Sequence, residues 1–370
     1  MLCDVFSSDR EARLDKRHLP RIVDHANDLH AHVPSAWYVL ARSAEVPACG
    51  VVTRRLAGRD VVLFRTETGV LSAIDPYCAH MGAHLGHGGC VKGETVECPF
   101  HGFRFDVTGR CVATSYGTPP PPRARNATWP SRERHGQILV WHGHAGEAPW
   151  FEVPDVDTTG WTEPLFEVAP LRGHPQETSE NSVDMGHLSI VHGYADIKIL
   201  RELRCEPGYL SVQYSMTRPY IPGFAHLGRI YAEFFIHVYG LGYSRVEVWV
   251  PELGLRSRHM VFATPVERER LALHLGFQIE KYKTLDRLPR AVRRVPMGLF
   301  HRALLHAGMA SYVHDVKQDF AIWQNKRYVH PPQLAVGDGP VGAYRRWCKQ
   351  FYPAPPSGAS TTSLEGAGAE

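Results

Sequence analysis

Short apolar segments separated by glycine and proline characterise the chain from Trp37 to about Trp150. Within them, apolar residues alternate with polar ones or run without interruption, as in half-buried and fully buried β-strands. The candidate strands are DVVLFRT, VLSAID, TVECPF, FRFDVTGRCV and QILVWHG. The proline-rich segment GTPPPPRAR (117–125) precedes the last candidate, so we interpret it as the rim of this unit and not as a linker. The pattern predicts a small β-sandwich.

A longer pattern of helices and strands begins near Phe151. A helix candidate around residues 178–193 is followed by five strand candidates, YLSVQYSM, RIYAEFFIHVYG, YSRVEVWV, RHMVFATPV and RLALHLGFQI. Helical periodicity returns from about Leu299 to Arg327. The pattern therefore predicts an antiparallel sheet with helices at its ends, an α+β arrangement that can enclose a pocket.

Two folded units and two terminal segments are therefore expected in the chain of 370 residues. The predicted boundaries are an N-terminal extension over 1–34, an all-β domain over 35–150, an α+β domain over 151–355 and a tail over 356–370. The tail consists of small and polar residues, a composition that favours disorder.

The composition excludes several classes of protein. A net charge of +3 with 44% hydrophobic residues is that of an ordinary globular chain and carries no nucleic-acid signature. The eight cysteines are scattered and do not suggest a disulfide framework, which suits a reducing compartment. The charged N-terminus shows no secretory signal, and no stretch reaches about 18 consecutive apolar residues. We expect a cytoplasmic protein.

Three cysteines and four histidines lie in one stretch, CAHMGAHLGHGGCVKGETVECPFH (78–101). Cys78 and His80 form a C-x-H pair, and Cys98 and His101 form a C-x-x-H pair after 17 intervening residues. Two thiolates and two imidazoles can bind a structural zinc, or a Rieske [2Fe–2S] centre in which the thiolates hold one iron and the imidazoles the other. Because each pair combines one Cys with one His, two parallel loops can each offer sulfur to one iron and nitrogen to its neighbour. The spacing therefore favours the [2Fe–2S] centre over zinc.

A second cluster of candidate ligands lies in ENSVDMGHLSIVH (180–192). Asp184 and His187 are three residues apart and would share one helix face. His187 and His192 are five apart, about 140° around an ideal helix, so both can face one ion only if the helix loosens or ends between them. Two histidines with one carboxylate form the facial triad of non-haem Fe(II) oxygenases. From the residues alone, the carboxylate stays open among Asp184, Asp315 and Asp319.

The order C-x-H-x17-C-x-x-H followed by D-x-x-H-x4-H resembles the oxygenase components of Rieske non-haem iron oxygenases. Within that family, the chain is most similar to the steroid-acting branch, which includes 3-ketosteroid 9α-hydroxylase and Neverland-type cholesterol 7-desaturases. The resemblance covers about residues 35–353 and is carried by YCAHMGAHLGHGG, CPFHGFRFDVTGRC, DMGHLSIVH, and QDFAIWQNKRY with DGPVGAYRRWCKQFY. It implies an N-terminal all-β Rieske [2Fe-2S] domain and a C-terminal helix-grip-like catalytic domain.

The resemblance also implies roles for individual residues. The implied metal ligands are Cys78, His80, Cys98 and His101 for the cluster and His187, His192 and Asp319 for the mononuclear iron. Asp184 matches an acid that links the mononuclear site to a Rieske histidine of a neighbouring subunit, and Asn181 lies near the position of an asparagine close to the iron. An electron would pass from His101 through Asp184 to His187 of an adjacent copy, which implies a head-to-tail homotrimer.

The implied activity is O₂-dependent oxidation of a sterol or steroid-like hydrophobic substrate. Electrons would come from NAD(P)H indirectly, through a ferredoxin, a ferredoxin reductase or both. Gly102-Phe103 departs from the family, in which Trp is common at the second position, and this bears on how a ferredoxin docks. Hydroxylation, desaturation and methyl oxidation all begin with hydrogen abstraction, so the sequence does not separate them. The substrate is expected under the sheet, among residues of which half point away: Tyr231, Phe234, Phe235, Val248 and Trp249.

Two alternative functions stay open. One is a Rieske monooxygenase that acts on a non-steroid polycyclic or aromatic compound, and the other is an electron-transfer protein without oxygenase activity. Respiratory Rieske proteins resemble C-T-H-L-G-C and C-P-C-H-G-S-H-Y, whereas this chain has Ala83 and Phe100 in place of the disulfide cysteines. Phe103 and Phe105 replace hydroxyl-bearing residues, and fewer hydrogen bonds to the cluster predict a lower reduction potential, which suits an oxygenase.

The segment LDRLPRAVRRVPMGLFHRALLHAGM (285–309) mixes arginines with large apolar side chains. Such a segment can lie on an anionic membrane surface, where a sterol would be found. It can equally pack its apolar face on the catalytic sheet and leave its arginines in solvent. Pro289 and Pro296 interrupt the helical periodicity, so the first half is expected to be a loop.

Overall fold

The structure, a computed structural model, describes residues 32–219, 228–286 and 292–353. The predicted N-terminal extension lies almost entirely outside these ranges, and the predicted tail lies wholly outside them. The described chain forms three small β-sheets followed by one seven-stranded sheet with helices.

The N-terminal part is built from short strands, as predicted. They are β1 (Ala36–Arg42), β2 (Val51–Leu56), β3 (Arg59–Arg65), β4 (Leu71–Ile74), β5 (Cys90–Lys92), β6 (Thr95–Glu97), β7 (Arg104–Asp106), β8 (Cys111–Ala113), β9 (Thr128–Trp129), β10 (Ser131–Arg134) and β11 (Gln137–His142). The three sheets have the orders β1-β11-β10, β2-β3-β4-β9 and β5-β6-β7-β8. The last of them carries the second cysteine–histidine loop between β6 and β7.

Strand β3 shows why these sheets stack. Its sequence RDVVLFR buries four consecutive apolar residues, and successive side chains point to opposite faces. Val61 and Leu63 enter a core that they share with β1 and β11, whereas Val62 and Phe64 enter a second core. The second core also contains the two cysteines of the predicted cluster. Strand β3, which is buried on both faces, therefore packs in the same core as the two cysteines of the predicted cluster.

The C-terminal part is an α+β unit, which confirms the predicted class. Its strands are β12 (Leu165–Arg172), β13 (Ala195–Glu206), β14 (Tyr209–Pro219), β15 (Arg229–Tyr239), β16 (Tyr243–Val250), β17 (Leu255–Glu267) and β18 (Arg270–Ile279), and its helices are α1 (Pro175–Glu180), α2 (Gly186–Ile190), α3 (Met297–Trp323) and α4 (Val341–Cys348). The antiparallel sheet has the order β12-β18-β17-β16-β15-β14-β13. Helix α3 packs Leu305, Met309 and Val313 against β18. Helix α4 contacts β13, and its Tyr344 and Trp347 share a core with residues of β14 and β15.

The sequence pattern predicts five strands of this sheet and misses β12 and β13. Both are edge strands of the described sheet. Strand β13 is mostly exposed and has three register irregularities, so it shows no alternation of buried and exposed residues. Strand β12 contains Pro170, which an edge strand tolerates but which weakens a strand prediction.

The two domains share a continuous apolar junction. Trp37 and Val39 of β1 pack in one cluster with Tyr243 and Phe262 of the catalytic sheet. The hydroxyl of Thr264 donates to the carbonyl of Val39 (2.6 Å). The turn between β2 and β3 is also hydrogen-bonded to the end of β17. A large apolar junction of this kind disfavours relative motion of the domains.

No helix among the described residues has the length and apolar character needed to cross a lipid bilayer.

Candidate metal centres and substrate cavity

The two cysteine–histidine loops have the same backbone hydrogen bonds. In each, the cysteine N–H donates to the carbonyl five residues later, at 2.8 Å for both Cys78 and Cys98. The N–H of the glycine four residues later donates back to the cysteine carbonyl, at 2.8 Å for Gly82 and 3.1 Å for Gly102. Both glycines have positive φ (77° and 59°), which glycine adopts without strain. The loops are thus two copies of one turn.

The four predicted cluster ligands face one another at these turns. Cys78 and Cys98 are each 3% exposed, and both are free thiols. The rings of His80 and His101 lie with their centroids 4.9 Å apart, and His80 stacks on Phe103 at 4.1 Å. Burial raises the pKa of the Cys78 thiol to about 11, with a further contribution from the neighbouring Cys98 thiol.

These side chains fit a [2Fe–2S] centre. A buried thiol with a raised pKa gives up its proton readily only when a metal supplies compensating positive charge. Two adjacent thiols and two adjacent imidazoles match a cluster whose irons are ligated separately by sulfur and by nitrogen.

The second cluster of candidate ligands lies around two short helices. Helix α1 ends at Glu180 and α2 begins at Gly186, so the single helix expected around residues 178–193 is wrong. Asp184 Oδ1 accepts a hydrogen bond from the His187 N–H (3.2 Å) in the first turn of α2. Helix α2 ends at Ile190, between His187 and His192. The helix therefore ends between the two histidines, as the sequence predicts it must if both are to face one ion.

His187, His192 and Asp319 lie together, with three potential ligand atoms within 4.8 Å of one another. Asp319 is 6% exposed, and its Oδ2 lies 3.5 Å from His192 Nε2. His187 Nδ1 is 2.7 Å from the Asp184 carbonyl, and His192 Nδ1 is 2.8 Å from Gln318 Oε1. With Nδ1–H donating to these oxygens, Nε2 of each ring keeps the lone pair that a metal needs.

The electrostatics of this group favour a cation. Burial by itself lowers the pKa of His192, but the Asp319 carboxylate and Gln318 outweigh it and raise this pKa above its ordinary value. Burial likewise raises the pKa of Asp184, but contacts with His187 outweigh it, so this pKa lies below its ordinary range. Two imidazole nitrogens and one carboxylate fit the facial triad of a non-haem Fe(II) site. The individual ligand assignments stay predictions.

The other predicted site residues occupy different positions. Asn181 follows α1 as its C-terminal cap and lines the cavity described below. The Asp184 side chain is 35% exposed and borders His187 from outside the cavity lining. Asp315, the other acid that shares the helix face of Asp319, does not join the ligand group.

A cavity, partly open to solvent, lies between the sheet and helices α2 and α3. Its wall is mostly apolar and includes Leu188, Met216, Phe234, Ile236, Val261 and Trp323, together with the three predicted iron ligands. Of the residues expected around the substrate, Phe234 lines the cavity. The others lie elsewhere in the described structure: Tyr231, Phe235, Val248 and Trp249. Phe235 and Trp249 lie beneath the guanidinium groups of Arg201 and Arg256 instead.

Residues 36–124 match the Rieske [2Fe-2S] domain family, and residues 140–352 match the 3-Ketosteroid 9alpha-hydroxylase C-terminal domain family. The second match covers more than half of the chain. The chain belongs to this family of Rieske oxygenases. The predicted family and fold class are therefore confirmed.

Relatives of this Rieske oxygenase match most of its length. A cholesterol 7-desaturase of Ciona intestinalis is 29% identical over 367 residues, which cover 94% of this chain and 75% of that protein. A probable 3-ketosteroid-9-alpha-monooxygenase, oxygenase component, of Rhodococcus rhodochrous is 31% identical over 311 residues, which cover 80% and 74%. The crystal structure of dicamba monooxygenase bound to dicamba is similar with a TM-score of 0.64, over 87% of this chain and 98% of that chain. At 22% identity, this likeness shows the fold alone.

Membership of this family identifies the cofactors and the class of reaction. This Rieske oxygenase uses a Rieske [2Fe–2S] cluster, a mononuclear non-haem iron and O₂. Members are monooxygenases or desaturases, and their oxygenase components receive electrons from ferredoxin or reductase partners. The predicted enzyme class and cofactors are confirmed, and the electron carrier without oxygenase activity is set aside.

Three residues around the iron group escaped the sequence analysis: Gln318, Tyr194 and Arg218. Gln318 directly precedes Asp319, and its amide oxygen accepts from His192. Adjacency to a predicted ligand was a signal that could have identified it. The ring of Tyr194 lies 5.4 Å from that of His192, and Arg218 lines the cavity from β14. Their positions depend on strand register, which short motifs do not reveal.

Proposed function

We propose that this Rieske oxygenase oxidises a steroid or sterol, by hydroxylation, desaturation or methyl oxidation. The cavity carries the proposal, because its mostly apolar wall suits a hydrophobic ring system and the predicted iron ligands lie in that wall. The names of the relatives, a cholesterol 7-desaturase and a 3-ketosteroid monooxygenase, support the same class of substrate. The alternative of a non-steroid polycyclic or aromatic substrate has support only at the level of fold.

Residues of the chain are proposed to act in three ways. His187, His192 and Asp319 would hold the iron, which would supply the activation of O₂ next to the substrate. Gln318 and the Asp184 carbonyl fix the imidazole rings through their Nδ1–H groups. Apolar side chains of the cavity wall exclude water from the substrate and hold it against the ligand group.

The route of electrons is proposed to run between subunits of a homotrimer. The rim of the cluster loops carries exposed apolar side chains, with Met81 66% and Phe100 61% exposed. Asp184 precedes α2 and is partly exposed, and Ile190 at the end of α2 is 85% exposed. We infer that these two surfaces meet across copies, so that His101 passes the electron through Asp184 to His187 of a neighbour. An exposed rim on one surface and an exposed acid on another suit a head-to-tail ring.

Peripheral membrane contact is proposed for the described residues that precede and begin α3. Leu299 is 60% exposed, and Arg293 and Arg294, which precede it in the sequence, are also exposed. Further along α3, Leu305 and Met309 pack on the sheet, so simple packing accounts for that half of the segment. Arg287 and Arg290 lie outside the described residues. Binding to anionic liposomes at low salt, lost as salt is raised, would support the contact, and no binding at low salt would contradict it.

The substrate proposal is tested with the reconstituted enzyme, a ferredoxin and its reductase. A panel of sterols and ketosteroids is incubated beside non-steroid polycyclic and aromatic compounds, and product masses are read. Gain of one oxygen indicates hydroxylation, and loss of two hydrogens indicates desaturation. The Asp319→Asn variant serves as a control without turnover. Conversion of an aromatic compound with no conversion of any steroid would contradict the proposal.

A further inference from the structure

An ion pair interrupts the apolar wall of the cavity. Arg218, at the end of β14, donates from Nη2 to Asp315 Oδ2 (3.2 Å) and to Ser311 Oγ (3.3 Å). The side chains of Arg218 and Asp315 are 19% and 16% exposed, and both line the cavity. The Tyr194 hydroxyl donates to the same oxygen of Asp315 (3.1 Å). A charged pair with an aromatic partner therefore faces the space proposed for a hydrophobic substrate.

Arg218 has hydrogen-bond donors that no protein group uses. A guanidinium carries five N–H groups, and the bonds above involve Nη2 alone. Nε and Nη1 make no hydrogen bond to any residue that the structure describes, and they are not sealed from solvent as Nε is in Arg245 and Arg258. When a hydrophobic substrate displaces water from the cavity, these N–H groups become costly unless an oxygen accepts their hydrogen bonds. A substrate oxygen would be such an acceptor.

The charge balance of the pair selects the kind of oxygen. Asp315 lies 3.2 Å from the guanidinium and neutralises it, so a carboxylate on the ligand would add an unbalanced negative charge to a largely apolar cavity. A ketone or hydroxyl oxygen brings no charge and still accepts a hydrogen bond from a cation. A hydroxyl group could also donate to Asp315 Oδ1, which accepts no hydrogen bond from the described residues.

The pair also lies close to the predicted iron site. Asp315 precedes Asp319 by four residues of α3, which is one turn and about 6 Å of helix rise. We propose that Arg218 and Asp315 form a polar subsite that binds a neutral ketone or hydroxyl oxygen of the substrate and orients its ring system toward the iron ligands. The identity of the substrate as a steroid rests on the proposed function, but the subsite itself does not. Because the two groups lie on neighbouring turns, the oxygen is expected on the half of the ring system that reacts.

Equilibrium dialysis on the holoenzyme tests the subsite with two matched pairs of ligands. Androst-4-en-3-one and androst-4-ene differ only in the ketone, as do 2-decalone and decalin. The wild-type enzyme should prefer each ketone by roughly 10- to 100-fold, the range for a hydrogen bond to a charged group. Arg218→Met should abolish this preference and leave the affinity for the hydrocarbons unchanged. A purely structural role would instead weaken binding of both members of a pair equally.

Two further variants sharpen the test. Arg172→Met breaks a more exposed pair with Glu269 (3.3 Å) on the same sheet but outside the cavity lining, so the ketone preference should persist. Asp315→Asn leaves Arg218 without its counter-charge, so a steroid carboxylate should gain at least about tenfold in affinity relative to the ketone. The electron paramagnetic resonance (EPR) signal of the cluster and the iron content should stay unchanged in all three variants.

The outcomes separate this inference from the proposed function. Absence of a ketone preference in both ligand pairs, or its persistence in Arg218→Met, would overturn the subsite even if steroids are oxidised. A preference that is seen with 2-decalone and lost in Arg218→Met supports the subsite. If steroids fail to bind in that case, the steroid proposal fails and the subsite stands.

Discussion

Removal of Arg345 should destabilise the protein by roughly 3–5 kcal/mol, the usual cost of breaking a buried ion pair on one side. Arg345 of α4 donates from Nε to Glu180 Oε2 (2.6 Å) and from Nη2 to Glu180 Oε1 (2.8 Å). The two side chains are 11% and 9% exposed. Glu177 is also buried, and Lys326 lies 3.6 Å from it and 3.8 Å from Glu180. Arg345→Met would therefore leave two buried carboxylates to share one lysine.

Chemical unfolding of the holoenzyme by urea measures this loss, with a double variant as the matched comparison. Replacing both partners, as in E180Q/R345M, should regain most of the stability, because a buried ion pair adds little beyond its own desolvation cost. Arg346→Met, at the exposed neighbouring position, should change stability by about 0.5 kcal/mol or less. Iron content adds a second readout, since Glu180 ends the helix that precedes Asn181.

A loss below about 1 kcal/mol in Arg345→Met would refute the reasoning, because the buried carboxylates would then tolerate the absence of the guanidinium. An equal loss in the single and double variants would refute it as well, because the effect would then come from packing and not from unpaired charge.

Four other variants test the site and its surroundings. Burial raises the pKa of Glu177 from its usual 4.5 to about 6, so the folded protein binds the carboxyl proton more tightly than the unfolded chain does. The stabilisation that this proton gives is complete below about pH 4.5 and is lost as the pH rises through 6. Glu177→Gln should therefore stabilise the protein by about 2 kcal/mol at pH 7 but not at pH 4.5, and an equal effect at both pH values would contradict the shift. Asp319→Asn should lose the mononuclear iron and keep the Rieske EPR signal, whereas Asp315→Asn should keep both metals; the reverse result would move the ligand role to Asp315. Asp184→Asn should keep both metals but sharply reduce product formation, and full turnover in this variant would contradict the route between subunits.

The sequence predicted best what is local. The C-x-H and C-x-x-H pairs each lie within one turn, and backbone hydrogen bonds around Cys78 and Cys98 fold both turns alike. The geometry of a helix also required a break between His187 and His192, and α2 does end there. The sequence did not reveal the separate gap between α1 and α2, because ENSVDMGHLSIVH carries no glycine or proline that would divide it earlier than Gly186.

What the sequence missed depends on distant packing. Asp319 reaches His192 only because α3 lies against the sheet with one particular rotation, and the resemblance rather than the spacing identified it. Arg218 meets Asp315 across 97 residues, a contact set by the register of β14 and the face of α3. Which side chains line the cavity likewise depends on the alternation of side chains between the two faces of each strand. Phe234 points inward and Phe235 outward, although both are equally apolar in the sequence.

If electrons cross between copies as proposed, the apolar junction between β1 and β17 makes turnover depend on assembly. With Trp37 and Phe262 in one core, the cluster-bearing domain cannot swing toward the iron of its own chain as a mobile carrier would. Dilution that separates the subunits would then abolish catalytic activity without unfolding any subunit. Two inactive variants could then complement each other. A subunit lacking its cluster through Cys98→Ala and one lacking its iron through Asp319→Asn would be inactive alone and active when assembled together, because each would supply the centre that its neighbour lacks.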